Sequence, residues 1–404
     1  MKKLVVLCLC MLIALSAVGF AAAEEVKLTV MNVIPADNSS QGALFSGWVD
    51  EFEAAHPGVK IEHISTVNAE LKKQMKIAML AGTMPDIVTF DNPDYASFAA
   101  GGFLMDITDM VADWKEMPAY YDATINAVTY KGRLYGLPFE SNSLGLWYNQ
   151  DLLSELGKEV PVTWDDVLDI CVAAKEKGYY GLAMAAPQSE VCTFQFIPWL
   201  YAAGGSIEKL DTPEAAKALG FLAELVANGY MSKEVLGYAH GDLLKAFQGG
   251  KTVLMTNGSW NIANLANGTP FAYGVTTYPV ISEGDVPTNC LGGYHVGITS
   301  TCENPEIALE FLKFICSKEE NLNWCKVAGL LPTNADTAKD EVFSEEPMKS
   351  FVAGLPGAIA RVNPFWPDMS ANVYTAVQAA LAGEKTAEQA LADAEALNAA
   401  YWQY

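Results

Sequence analysis

Glu140 and Asn142 stand two residues apart in the run PFESNS, so in an extended strand their side chains share one face. A carboxylate and a primary amide on one face accept from and donate to adjacent hydroxyl groups. Asp91 and Asn92 follow the short apolar run PDIVTF, at a strand end of the kind where an α/β sheet opens its ligand crevice. The same two residues also suit a helix cap. Asn38 lies in a second polar loop, Asp37-Asn38-Ser39, where capping of the following helix competes with ligand contact. Trp260 occurs in NGSWN, where Gly258 and Ser259 favour a bend. A large indole at a bend is either a peg in the core or a flat apolar shelf. Tyr294 and His295 follow Gly292 and Gly293, and because neighbouring strand residues point to opposite faces, one of the two should meet a ligand. Trp199, in FIPWLYAAGG, is a further candidate for stacking, with burial as its alternative.

Several chemistries are excluded or left thin by the same residues. GGKT (249–252) ends like a phosphate-binding loop, but the glycine that motif needs five residues before Gly250 is Lys245. A glycosidase needs two carboxylates across a cleft, and Glu140 with Asp91 is the pair available for it. Adjacent tyrosines (Tyr120-Tyr121, Tyr179-Tyr180) raise ferric-ion binding as another alternative. Neither CxxC pairs nor cysteine–histidine clusters point to zinc, and no cofactor or metal is expected.

The elements that must hold these residues alternate between strand and helix. Lys27–Val33 alternates like a strand, and Leu44, Phe45, Trp48, Val49 and Phe52 recur at helical spacing. RLYGLPF and LGLWYN read as extended. Thr163 with Asp166 opens a helix that Gly178 ends, Thr212-Pro213-Glu214 opens another, and Asn304-Pro305-Glu306 a third. This is an α/β chain with mixed or parallel sheets. It carries no polar linker, so two lobes would have to be joined by several strand-like crossings, leaving a cleft between them.

Residues 1–23 read as a cleaved export signal: Lys2 and Lys3, the apolar run Leu4–Phe20, then Ala21-Ala22-Ala23. Cys8 and Cys10 fall inside the apolar run, too early for a lipid-bearing mature terminus, so a periplasmic protein without a lipid anchor is expected. Losing the two lysines takes the net charge from −23 to −25, which argues against nucleic acid and anionic membranes as partners. The remaining cysteines, at 171, 192, 290, 302, 316 and 325, leave disulfides and free thiols equally open.

Four blocks, in order, resemble the extracellular solute-binding proteins of carbohydrate ABC importers, the family that includes maltose-binding protein. They are AGTMPDIVTFDNPDYASFAAGGFLMDIT, GRLYGLPFESNSLGLWYNQDLL with TWDDVLD, AFQGGKTVLMTNGSW, and CLGGYHVGITSTCENPEIALEFLKFICS with GLLPT downstream. The resemblance implies a periplasmic-binding-protein type 2 fold, with two discontinuous α/β lobes and a multi-segment hinge. Lobe 1 would comprise 24–138 plus 293–333, and lobe 2 would comprise 139–292 plus 334–404. It also implies that Trp260 stacks on a sugar ring, whose C–H-rich face an indole covers without demanding hydrogen bonds. RVNPFWPD resembles a late cleft segment of the family. That makes Arg361 and Trp366 candidate contacts, with a surface ion pair the alternative for Arg361. The implied partners are a mono- to oligosaccharide or related polyol and the permease subunits of the importer, served by a monomer that does no chemistry.

Overall fold

VKLTVMN forms the strand Val26–Asn32, which pairs in parallel with Val59–Ser65 on one side and Ile87–Asp91 on the other. The computed structural model describes residues 25–355 and 358–403, so the export signal expected at 1–23 lies outside the described residues. Tyr294–Ile298 joins this sheet antiparallel to Ile87–Asp91, and Leu137–Pro138 completes its five strands. Its core holds Leu28, Val30, Phe45, Trp48, Phe90, Phe311 and Trp324, contributed by strands and by helices as far along the chain as Lys318–Ala328.

The second sheet runs in the order Tyr273–Thr276, Leu144–Asn149, Thr252–Gly258, Tyr180–Ala183, with its last pair parallel and the others antiparallel. Both of its faces are covered. Leu144 and Leu146 enter a core with Trp164, Phe196 and Leu219, while Trp147 enters another with Phe247 and Phe351. A strand buried on both faces takes apolar residues on both of them, which is why Leu144–Trp147 shows no alternation. The capping box expected at Thr163 forms at the start of helix Trp164–Glu176: Thr163 accepts from the Asp166 N–H, and Asp166 accepts from the Thr163 N–H at 2.8 Å. In helix Pro305–Ile315 the buried stripe is Ala308, Leu309, Phe311, Leu312 and Ile315, while Ile307 and Phe314 at its margins are half-buried. The six described cysteines are all free and buried, and act as core residues.

Three chain segments run side by side between the sheets. The Glu140 N–H donates to the Tyr294 carbonyl (3.0 Å), Ser141 exchanges backbone bonds with Leu331 (3.0 and 2.8 Å), and Asn142 does so with Gly292 (3.0 and 2.9 Å). Gly293 lies here at φ +131°, a conformation side chains rarely adopt, and a Cβ on it would collide with the Glu140 carbonyl. These crossings aim Glu140, Asn142 and Tyr294 into the space between the lobes.

Candidate ligand-binding cleft

Trp260 follows the fully buried strand Thr252–Gly258 by one tight turn, Ser259–Asn261. The turn folds the indole back over Gly258 so closely that a Cβ there would fall inside the six-membered ring. The indole stays half-buried and packs against the cores of both lobes. His240 lies against it at 5.0 Å between ring centroids, and Phe194 at 6.4 Å with the planes inclined by 31°. Two chambers adjoin it, of about 250 and about 230 Å³, both bordered by Asn142, Trp260 and Tyr294.

The first chamber is charged. Arg361, 4% exposed, donates to Glu190, to the Asn92 side chain at 2.9 Å and to the Leu291 carbonyl at 3.0 Å, and lies 4.8 Å over the Phe194 ring. Glu190 is held in turn by the Trp366 indole N–H at 3.0 Å and the Ser370 hydroxyl. Lys72 reaches in from helix Asn68–Ala81 and pairs with Asp94 at 2.6 Å. Burial pushes Asp94 up to about 6, with Lys72 opposing it. Burial also works against the charge on Lys72, but the carboxylates of Asp94, Asp91 and Glu190 outweigh it and raise its pKa. Asp91 lines the chamber with no side-chain hydrogen bond among the described residues; its one ion pair there is to Arg361 at 3.9 Å. Burial holds His240 down to about 4, so its imidazole is neutral.

The second chamber is mostly apolar, walled by Val33, Ile34, Phe139, Trp324 and Leu330. Glu140 enters it 5% exposed and accepts from the Trp324 indole N–H at 2.5 Å. Burial pushes this carboxyl up to about 8, with the charge of Asp91 adding and the Trp324 bond opposing. Glu140 is therefore largely protonated at neutral pH, and its carboxyl can donate as well as accept.

The cleft brings together Asp91, Glu140, Asn142, Trp260, Gly293, Tyr294 and Arg361. Five other candidates lie elsewhere. Trp199 is 0% exposed, packed 5.5 Å from the Trp164 ring, because its helix Glu190–Ala202 is buried on nearly every side. Trp366 opens helix Trp366–Ala382 with its ring in the same core, and it touches the cleft only through Glu190. His295 points into the first lobe beside Tyr95, and burial takes it down to about 3; Tyr294 is the member of the pair on the cleft side. Asn92 is buried and spans the lobes, donating to the Leu291 carbonyl at 2.8 Å while accepting from Arg361. Asn38 is exposed in a loop where Ser39 caps helix Ser40–Ala55. Of the tyrosine pairs, Tyr120 donates to the Cys316 carbonyl in the first lobe and Tyr179 to Glu155 on the surface.

Lys72, Glu190, Phe194, His240 and Trp324 line the cleft without having been singled out in the sequence. One signal was available: Glu190 is the lone charged residue of a largely apolar helix, with Phe194 one turn on along the same face.

Two α/β lobes with an aromatic shelf between them have the architecture of a ligand-capture protein. The chain belongs to the bacterial extracellular solute-binding proteins, whose family model matches residues 47–349. It is 23% identical over 419 residues to the galactooligosaccharide-binding protein of Bacillus subtilis, covering 96% of this chain and 95% of the relative. The maltose-bound structure of T. maritima MalE3 superposes with a TM-score of 0.78 at 25% identity, over 92% of this chain and 99% of that one. The cyclic alpha-maltosyl-1,6-maltose binding protein of Arthrobacter globiformis gives a TM-score of 0.80 at 25% identity, over 93% and 98%.

Proposed function

We propose that the protein is the substrate-binding component of a carbohydrate ABC importer, which captures an oligosaccharide beside Trp260 and hands it, as a periplasmic monomer, to a membrane permease. The observation that carries this reading is the half-exposed indole set between two chambers and in contact with both lobes. One sugar face stacks on the indole while ring hydroxyls meet Asp91, Asn142, Glu140 and Tyr294. Such a ligand touches both lobes at once, so it binds the closed form more tightly and shifts the hinge equilibrium toward it. Relatives that bind galactooligosaccharide, maltotriose and maltose support the same substrate class. Micromolar capture needs about −8 kcal/mol, within reach of one stacked ring, a charge-assisted hydrogen bond to Asp91 and several neutral ones.

A thermal-shift screen of malto-, galacto- and gluco-oligosaccharides against ligand-free protein tests the proposal. At least one should raise the melting temperature in a saturable way and be recovered unhydrolysed. Failure of the whole panel, or the appearance of cleaved products, contradicts it.

A further inference from the structure

The charges of the first chamber do not balance. Lys72 is held by Asp94 at 2.6 Å. Arg361 is held by Glu190, by the Asn92 side chain and by the Leu291 carbonyl. Both cations are thus engaged by the protein itself. Asp91 is the carboxylate left over: it faces the chamber, accepts no hydrogen bond among the described residues, and stands 3.9 Å from a guanidinium already committed elsewhere. Two cations against Asp91, Asp94 and Glu190 leave one negative charge in the pocket. Glu140 in the adjoining chamber adds to the same sign whenever it ionises.

The walls around Asp91 suit a positive charge as well. Trp260, Tyr294 and Phe194 line the same chamber, and ring faces attract cations. Phe194 already carries Arg361 on one face at 4.8 Å, so the site tolerates a cation on its rings. The Asn142 amide, which has no side-chain hydrogen bond among the described residues, faces the same space and can accept from an ammonium group.

We infer that the ligand carries a protonated amine, as an amino-sugar-containing oligosaccharide does, and that this ammonium group sits against the Asp91 carboxylate. The inference rests on the carbohydrate reading of the cleft and narrows it. A neutral sugar in the same place would pair Asp91 with hydroxyls alone and forgo the stronger charge-assisted bond that an ammonium group makes to a carboxylate, which costs affinity. An N-acetylated sugar would do the same, because acetylation removes the charge.

The test is calorimetry at pH 6.5 with three matched disaccharides: the β-1,4-linked glucosamine dimer, its di-N-acetylated form, and the corresponding glucose dimer. The amine-bearing dimer should bind at least tenfold tighter than either neutral one, and raising the salt concentration should narrow the gap. In Asp91→Asn the ratio should fall to near one. Equal or tighter binding of a neutral dimer, or an undiminished amine preference in Asp91→Asn, overturns the inference while leaving carbohydrate capture standing. Absence of binding by all three dimers, together with an empty oligosaccharide screen, overturns both.

Discussion

Replacing Glu140 by Gln should stabilise the protein, by an amount that depends on pH in a specified way. In the unfolded chain the carboxyl ionises near its ordinary 4.5, whereas in the fold burial pushes it up to about 8. The folded state therefore holds the proton more tightly. Stability contributed by this group is fully present below 4.5, is lost as pH rises toward 8, and is level above that. Glutamine has no proton to lose, and its amide oxygen can still accept from the Trp324 indole N–H. Each pH unit between the two values is worth about 1.4 kcal/mol, so the advantage of the variant should be near zero at pH 4.5, about 3 kcal/mol at pH 7 and about 5 kcal/mol above pH 8. The pH 7 figure depends little on the upper value, since it is set by the distance from 4.5. Urea denaturation of both proteins without ligand at pH 5, 7 and 9 measures it. A difference that stays flat with pH, or that turns in favour of the wild type as pH rises, refutes the claim that the carboxyl is buried and neutral.

Other outcomes follow from the same contacts. Arg361→Ala strands the Glu190 carboxylate without its cation and removes the donor to Asn92 and to the Leu291 carbonyl, and should cost about 3–5 kcal/mol in thermal unfolding. A cost below about 1 kcal/mol would mean that the pair is not buried as described. Gly293→Ala must accept φ +131° and a collision with the Glu140 carbonyl, so it should lose at least about 2 kcal/mol by the same measurement. His240 acts opposite to Glu140. Its folded value near 4 lies below its ordinary 6.5, so the unfolded chain binds the proton first and stability drops as pH falls from 6.5 to 4. His240→Phe should remove that drop, about 3 kcal/mol, visible as a flatter profile of melting temperature between pH 4 and 7.

Much of the cleft could be read from residues that sit where the chain changes direction. Trp260, Asn142, Gly293 and Tyr294 all lie at a turn or a lobe crossing, and such places carry local marks: glycine beside a bulky ring, or polar residues two apart in an apolar strand. Residues delivered from helices left weaker marks. Glu190–Ala202 is apolar almost all round, so no periodic stripe shows which edge Glu190 and Phe194 present to the cleft. Lys72 reads as one lysine among several on an exposed helix, and only the buried Asp94 facing it sets it apart. The two buried tryptophans have different causes: Trp199 sits in a helix enclosed on nearly every side. Trp366, like Trp260, follows a turn and opens a helix, and what directs it inward is Glu190, more than 170 residues away, accepting its indole N–H. His295 and Tyr294 differ only in strand parity, which the pairing of Tyr294 with Asp91 and of His295 with Phe90 settles.

The most direct measurement is calorimetric titration of wild-type protein and Trp260→Ala with the oligosaccharide that emerges from the screen. Wild type should bind one ligand per chain near micromolar affinity, and the variant, still cooperatively folded, at least thirtyfold more weakly, a loss of about 2 kcal/mol or more. Equal affinities in the two folded proteins would contradict the account.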